Sequence, residues 1–158
     1  MTPTKTIKNL QKGFTLIELL VVIGILAILL AIVLIAINPA RQFAQANNTQ
    51  RASDVNAILN GIHEFAADNA GSLPPNMPVF ADGAVDMKSG GGKGDICASL
   101  VTKYLAAMPH DPQAGTFTSC AAYDTGYTVA QSNSDQRITI AAPSTQIPPG
   151  TVIITVTR

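Results

Sequence analysis

The chain has no tryptophan, only 5% aromatic residues and only 13% charged ones. So few aromatics argue against a large aromatic-lined binding cleft. Acidic and basic residues are equal in number, so there is no overall basic character to draw it onto phosphate backbones. Two histidines, His63 and His110, and two cysteines, Cys97 and Cys120, are too few and too poorly spaced for a zinc site. The glycine-rich run Ser89–Asp95 fails as a phosphate loop. Lys93 is followed by Gly94 rather than Ser or Thr, and Met87 stands where the first glycine is required. Ser99, His110 and Asp111 could form a catalytic set by residue type alone, but nothing places a serine in a nucleophile turn. Asp82, Asp86 and Asp95 share a loop and could meet calcium, yet their spacing is not that of an EF-hand. These absences leave no enzyme, cofactor or metal reading with support.

Charge is also missing where it matters most. Phe14 to Ile37 contains a single charged residue, Glu18, and 18 of these 24 residues are Leu, Ile, Val or Phe. At roughly −0.3 to −0.6 kcal/mol each they favour membrane insertion by about 5 to 11 kcal/mol. A carboxylate costs about 2.5–3.5 kcal/mol at the bilayer centre and less near the end of the run. As a helix the run spans roughly 36 Å, enough for a hydrocarbon core of about 30 Å. It is much longer than the apolar stretch of a secretory signal, and Ile35–Asn38 makes a poor cleavage site for one. Lys5, Lys8 and Lys12 precede it, which places the N-terminus on the cytoplasmic side and the rest outside.

Glu18 needs a cationic partner that the run does not supply. Cleavage between Gly13 and Phe14 would create an α-amino group four residues before it. That amine could reach Glu18 within one helix, or neutralise the Glu18 of a neighbouring subunit. The second arrangement makes assembly the means of satisfying the carboxylate.

Lys12-Gly13 followed by Phe14-Thr15-Leu16-Ile17-Glu18 and an unbroken apolar run resembles the N-terminus of type IV prepilins and type II secretion pseudopilins. The resemblance implies cleavage after Gly13 by a prepilin peptidase, N-methylation of Phe14, and polymerisation of the chain with itself. Glu18 would then pair with a neighbour's N-terminus. It further implies membrane lipid as the host before assembly and pilus or secretion machinery as partners, with the product a surface pilus or a periplasmic pseudopilus. Removing residues 1–13 takes away three of ten basic residues, leaving a net charge of −3. That disfavours nucleic acid, with a local patch of Arg41, Arg51, Lys88, Lys93 and Lys103 as the remaining possibility. A minor pilin that binds DNA or a surface is therefore a further reading, although such tip proteins often depart at Glu18. Major pseudopilins bind calcium in a C-terminal loop, and those ligands find no match here.

Beyond the run, Pro39 is expected to bend a helix that continues to about Asn69, roughly 84 Å in all. Phe43, Val55, Ile58, Leu59, Ile62, Phe65 and Ala66 give its second half one apolar face. Asn47–Gln50 is a weak stretch within it, and Gly71 with Pro74-Pro75 is a stop signal. Residues 72–94 read as loop. Asp95 is expected to cap a second helix carrying Ile96, Cys97, Leu100, Val101, Tyr104 and Leu105, ended by Pro109 and Pro112. Tyr104–Pro112 resembles the segment that precedes the sheet in many pseudopilin-like proteins. Strands are expected at Gly126–Gln131, Arg137–Ala142 and Thr151–Thr157. In an exported chain the cysteine pair reads as one disulfide closing a loop of about 24 residues, the alternative being two buried thiols.

The expected fold is thus α+β: a leader at 1–13, a membrane and polymerisation helix at 14–37, and an amphipathic helix at 38–70. The remainder, 71–158, is a head with a loop, a short helix and a three-stranded antiparallel sheet.

Overall fold

In the computed structural model the described residues are 13–79, 82–146 and 153–158. The chain divides after Pro39 into two compact units. The first contains helix α1 (Leu16–Ala36), and the second runs from Ala40 to Arg158 and is built on helix α2 (Pro39–Asp68). The long N-terminal helix expected from sequence is present, with a break at Ile37-Asn38 where a bend at Pro39 was expected. Ile37 caps α1 in extended conformation, with its N–H bonded to Val33 O at 2.9 Å, and Pro39 opens α2. Proline disfavours helical backbone in the residue before it, yet its missing N–H costs nothing at a first helical position, so the chain restarts there.

The buried residues of α2 are Arg51, Val55, Ile58, Leu59, Gly61 and Ile62. Most recur at the three- and four-residue spacing of one helical face. Phe43, assigned to that face from sequence, is instead 70% exposed. The helix ends with Ala70 in the left-handed region and the Gly71 N–H reaching back to Ala66 O at 2.8 Å.

Five strands follow rather than three: β1 (Val85–Lys88), β2 (Thr116–Ser119), β3 (Ala122–Gln131), β4 (Ile138–Ala142) and β5 (Ile154–Thr157). They form one antiparallel sheet in the order β1-β3-β4-β5, with β2 pairing the start of β3. Asp124 pairs with both Lys88 and Thr116, so β1 and β2 lie on opposite edges of β3. Both extra strands are four residues long, too short for an alternating pattern to register, and β1 lies in the stretch read as loop. β3 also begins four residues earlier than expected. Gly126 is a mid-strand residue at φ +69°, where a Cβ would meet the Asp111 Cβ at 3.0 Å.

Between β1 and β2 the expected helix shrinks to a single turn, α3 (Cys97–Leu100). Asp95 does not cap it. Its Oδ2 accepts the N–H groups of Gly90 (3.1 Å) and Gly91 (2.7 Å), and its Oδ1 accepts the Tyr123 hydroxyl at 2.8 Å. The glycine-rich run is therefore wrapped around the chain's own carboxylate. Past Leu100 the backbone turns, with the N–H groups of Tyr104 and Leu105 both bonded to Leu100 O.

The core joins the α2 face to the inner face of the sheet: Val55, Ile58, Leu59 and Ile62 against Met87, Tyr127, Val129, Ile138 and Ile140, with Ile96, Leu100 and Met108 completing it. Cys97 and Cys120 form a disulfide, with Cα atoms 5.3 Å apart and 23 residues of separation. It ties α3 to the turn between β2 and β3. Reducing it should lower the unfolding free energy of the head by about 3 kcal/mol. Thermal unfolding followed by circular dichroism, with and without a thiol reductant, would read that loss.

Candidate functional site

Helix α1 buries none of its residues. Its large side chains are about half exposed or more along its whole length, from Leu16 at 80% to Ile35 at 86%. It is long and apolar enough to cross a membrane. A helix apolar on every side cannot satisfy itself against one face of a head. It requires an apolar surround.

The polar chemistry of α1 is concentrated in its first turn. Thr15 is the N-cap in extended backbone, and Glu18 is the third helical residue. The Thr15 N–H and the Thr15 hydroxyl each donate to Glu18 Oε2 at 2.7 Å, and the Glu18 N–H donates to Thr15 Oγ1 at 3.3 Å. This reciprocal capping box satisfies two helix-end donors. It also places the carboxylate at the positive end of the helix dipole. The sequence reading sought a cation for Glu18 in the amine released by cleavage, of its own helix or of a neighbouring subunit. The structure adds hydrogen bonds from Thr15, because a threonine three residues before a glutamate closes this box. Phe14, Ile17, Glu18, Val21 and Val22 line a shallow open concavity along one side of the helix. Gly13 and Phe14 precede the cap in non-helical backbone, with Phe14 85% exposed and open space around Gly13. Lys12 and the rest of the expected leader lie outside the described residues.

A second polar cluster lies within the head, and sequence reasoning missed it. Arg51 and Asp111 are both fully buried and form a two-pronged ion pair. Nε donates to Oδ2 at 2.6 Å, and Nη2 donates to Oδ1 at 3.0 Å. Asp111 Oδ1 also accepts the N–H groups of Gln113 (2.8 Å) and Ala114 (3.0 Å). Arg51 Nη1 donates to Asn48 Oδ1 at 2.8 Å, and that same oxygen accepts the Gln146 N–H at 3.3 Å. Asn47 Nδ2 donates to Gln146 Oε1 at 2.8 Å, and the Gln146 amide meets Gln113 Oε1. The stretch read as a weak point of the helix is thus where two loops are fastened to it. Gly115 is required beside Asp111, since a Cβ there would fall 2.6 Å from the Asp111 nitrogen and 2.7 Å from Thr125 O.

The electrostatics follow from this geometry. Burial pushes the Asp111 carboxyl upward, but the Arg51 guanidinium and two backbone donors outweigh it and hold it below the usual carboxylate range. Half-buried Asp54 behaves oppositely. Burial raises it, against the Tyr127 hydroxyl that donates to Oδ2 at 2.9 Å and the nearby His110. Burial and Asp54 together push the Tyr127 phenol far up, so it stays a donor.

A depressed carboxyl stabilises the fold above its unfolded pKa and loses that effect as pH falls through the folded value. A raised one destabilises while ionised, and protonation relieves it. Head stability should therefore rise slightly as acidification protonates Asp54, whose carboxyl is raised above its ordinary value by burial. It should fall steeply below the usual carboxylate range as Asp111 is protonated. Chemical denaturation across a pH series would check both limbs.

The other residues singled out from sequence are held apart. Asp82 accepts the Val79 N–H and pairs with Lys93 at 3.3 Å, Asp86 pairs with Lys88 at 3.2 Å, and Asp95 is engaged as described. Among the described residues no group of three or more His, Cys, Asp or Glu side chains is placed to hold a metal ion. Ser99, His110 and Asp111 do not form a triad. Asp111 is committed to Arg51, and His110 Nδ1 lies 3.4 Å from Met108 O. The proposed basic patch loses Arg51 to the interior, while Lys88, Lys93 and Lys103 each pair with an aspartate.

Residues 8–34 match the family described as the prokaryotic N-terminal methylation motif, the prepilin-type motif of type IV pilins and pseudopilins. No curated protein and no solved structure matches the chain. The motif supports a type IV pilin-like or pseudopilin protein. It implies processing by prepilin peptidase and assembly into pili or pseudopili. Together with the apolar helix it points to membrane anchoring before assembly.

Proposed function

We propose that this chain is the structural subunit of a type IV-like pilus. In this reading a prepilin peptidase cuts between Gly13 and Phe14, the Phe14 amine is methylated, and the head is held outside the membrane. The released amine of one subunit neutralises Glu18 of the next as the α1 helices leave lipid and pack together.

The observation that carries this reading is the conjunction at the start of α1. An exposed, non-helical Gly13-Phe14 junction lies immediately before a carboxylate that caps a helix with no buried residue. Elongated filaments in sheared surface material, seen by electron microscopy and with Phe14 as the N-terminal residue of the main band, are the expected result. Secretion defects without surface filaments would instead assign the chain to a pseudopilus. A main band beginning at Met1 would overturn both.

Gly13 has open space about it, so replacing it with leucine leaves the fold undisturbed. Cleavage should nonetheless fail, because the bulky side chain occupies the scissile position. Mass spectrometry should then find full-length precursor in place of a chain lacking 13 residues.

A further inference from the structure

β5 ends the sheet order, so among the described residues one of its backbone edges faces no strand. Its pairing with β4 fixes which groups lie on that edge. Ile138 and Arg158 exchange both backbone bonds, at 2.8 and 3.1 Å. The register continues as Ile140 with Val156 and Ala142 with Ile154. Antiparallel ladders alternate, so Ile154 and Val156 also bond toward β4, while Thr155 and Thr157 direct their N–H and C=O groups outward.

An edge of this kind accepts another strand unless charge, proline or a bulge guards it. The opposite edge, β1, carries Asp86 and Lys88 and has an irregular register between them. Among the described residues β5 itself carries no charge, proline or bulge, and the adjoining Arg158 turns its side chain to Asn60. Thr151 to Thr157 is seven consecutive β-branched residues without charge, proline or glycine. The core is also unfinished at this end of the sheet. Ile154 and Val156 lie on its inner face yet remain only partly buried.

We propose that β5 pairs antiparallel with β5 of a second copy of this chain, joining two sheets into one across a twofold axis. The strand is its own complement. The longest overlap of residues 153–157 is centred on Thr155, which then faces Thr155 of the partner subunit, while Ile153 faces Thr157 of the partner subunit. No like charges meet, every cross-strand pair is β-branched, and the arrangement closes on itself as an isologous contact. The added strand also covers Ile154 and Val156. This pairing uses the head alone and stands independently of the pilus reading.

The test is disulfide trapping of the full-length chain in the membranes that produce it. Residues facing each other in a hydrogen-bonded antiparallel pair have Cα atoms about 5.5 Å apart, within the range of roughly 4.4–6.8 Å that a disulfide spans. Under mild oxidation Thr155→Cys should give about tenfold more covalent dimer than Lys88→Cys on the opposite edge, because pairing holds the two thiols together. Adding Thr157→Pro to Thr155→Cys removes an outward N–H while sparing the backbone bonds to β4, at the loss of the Thr139–Thr157 hydroxyl contact, and should return cross-linking to the Lys88→Cys level. Equal trapping at the two edges would overturn the proposal. So would trapping that survives Thr157→Pro, or a mixed disulfide to a different polypeptide identified by mass spectrometry. The comparison of the two single cysteine variants does not depend on how the proline variant folds.

Discussion

Replacing Arg51 with alanine is expected to cost the head about 3–5 kcal/mol, because it leaves the fully buried Asp111 carboxylate without its cation. Domains of this size are stable by only about 5–15 kcal/mol, so much of the variant would be unfolded. The loss should exceed that of any single exposed ion pair, such as Lys103 with Asp68, whose attraction is screened by water. Asp111→Ala should be at least as damaging. It strands the guanidinium and also removes the acceptor for the Gln113 and Ala114 N–H groups. Arg51→Met combined with Asp111→Asn should recover part of the loss, since neither charge is then left alone and the asparagine oxygen can still accept from the backbone. Urea denaturation of the unsubstituted protein, Arg51→Met, Asp111→Asn and the two combined forms a double-mutant cycle that reads the coupling directly. Additive losses would show that the pair is not coupled.

The second large effect is expected at Glu18. Glu18→Ala should still insert in the membrane, since removing a carboxylate favours insertion, but filament yield should collapse. The capping box sharpens this experiment. Alanine removes both the bonds to Thr15 and the negative charge. Glutamine keeps an oxygen that can accept from the Thr15 N–H while removing the charge alone. If neutralisation of a neighbour's amine drives assembly, the two variants should fail alike. If the glutamine variant assembles normally, the role of Glu18 is to start the helix, and the electrostatic account is wrong. Filament mass recovered by shearing, relative to total subunit in the membrane fraction, is the measurement.

How much of this was legible beforehand depended on whether the signal was periodic and local. The unbroken apolar run specified α1, and the recurrence of Val55, Ile58, Leu59 and Ile62 specified the buried face of α2. The strand alternation located β4 and β5 and the later half of β3, and the export context with an even pair of cysteines anticipated the disulfide. The failures were places where a side chain chose a distant partner over a near one. Asp95 has the right residue type for a helix cap, yet it is held by Gly90, Gly91 and Tyr123, and the helix it was expected to start barely forms. Arg51 looked like a surface cation because its partner lies 60 residues away. A signal was present, however. Arg51 is in phase with Val55, Ile58 and Ile62, and Asp111-Pro112-Gln113-Ala114-Gly115 has the form of a turn in which an aspartate accepts backbone N–H groups two and three residues on. An arginine on an apolar stripe and an aspartate fixed in a turn are each ambiguous. Only the fold brings them together.

The bare surface of α1 constrains the route by which such a subunit can travel. Wetting that many large aliphatic side chains at once would be unfavourable by on the order of tens of kcal/mol. If the chain assembles as proposed, no free, dissolved intermediate is accessible between the lipid and the fibre. Each molecule must be passed from one greasy host to the other while some part of the helix is always sheltered. Growth of the fibre should then take place at the membrane itself, at its rooted end rather than its distant tip.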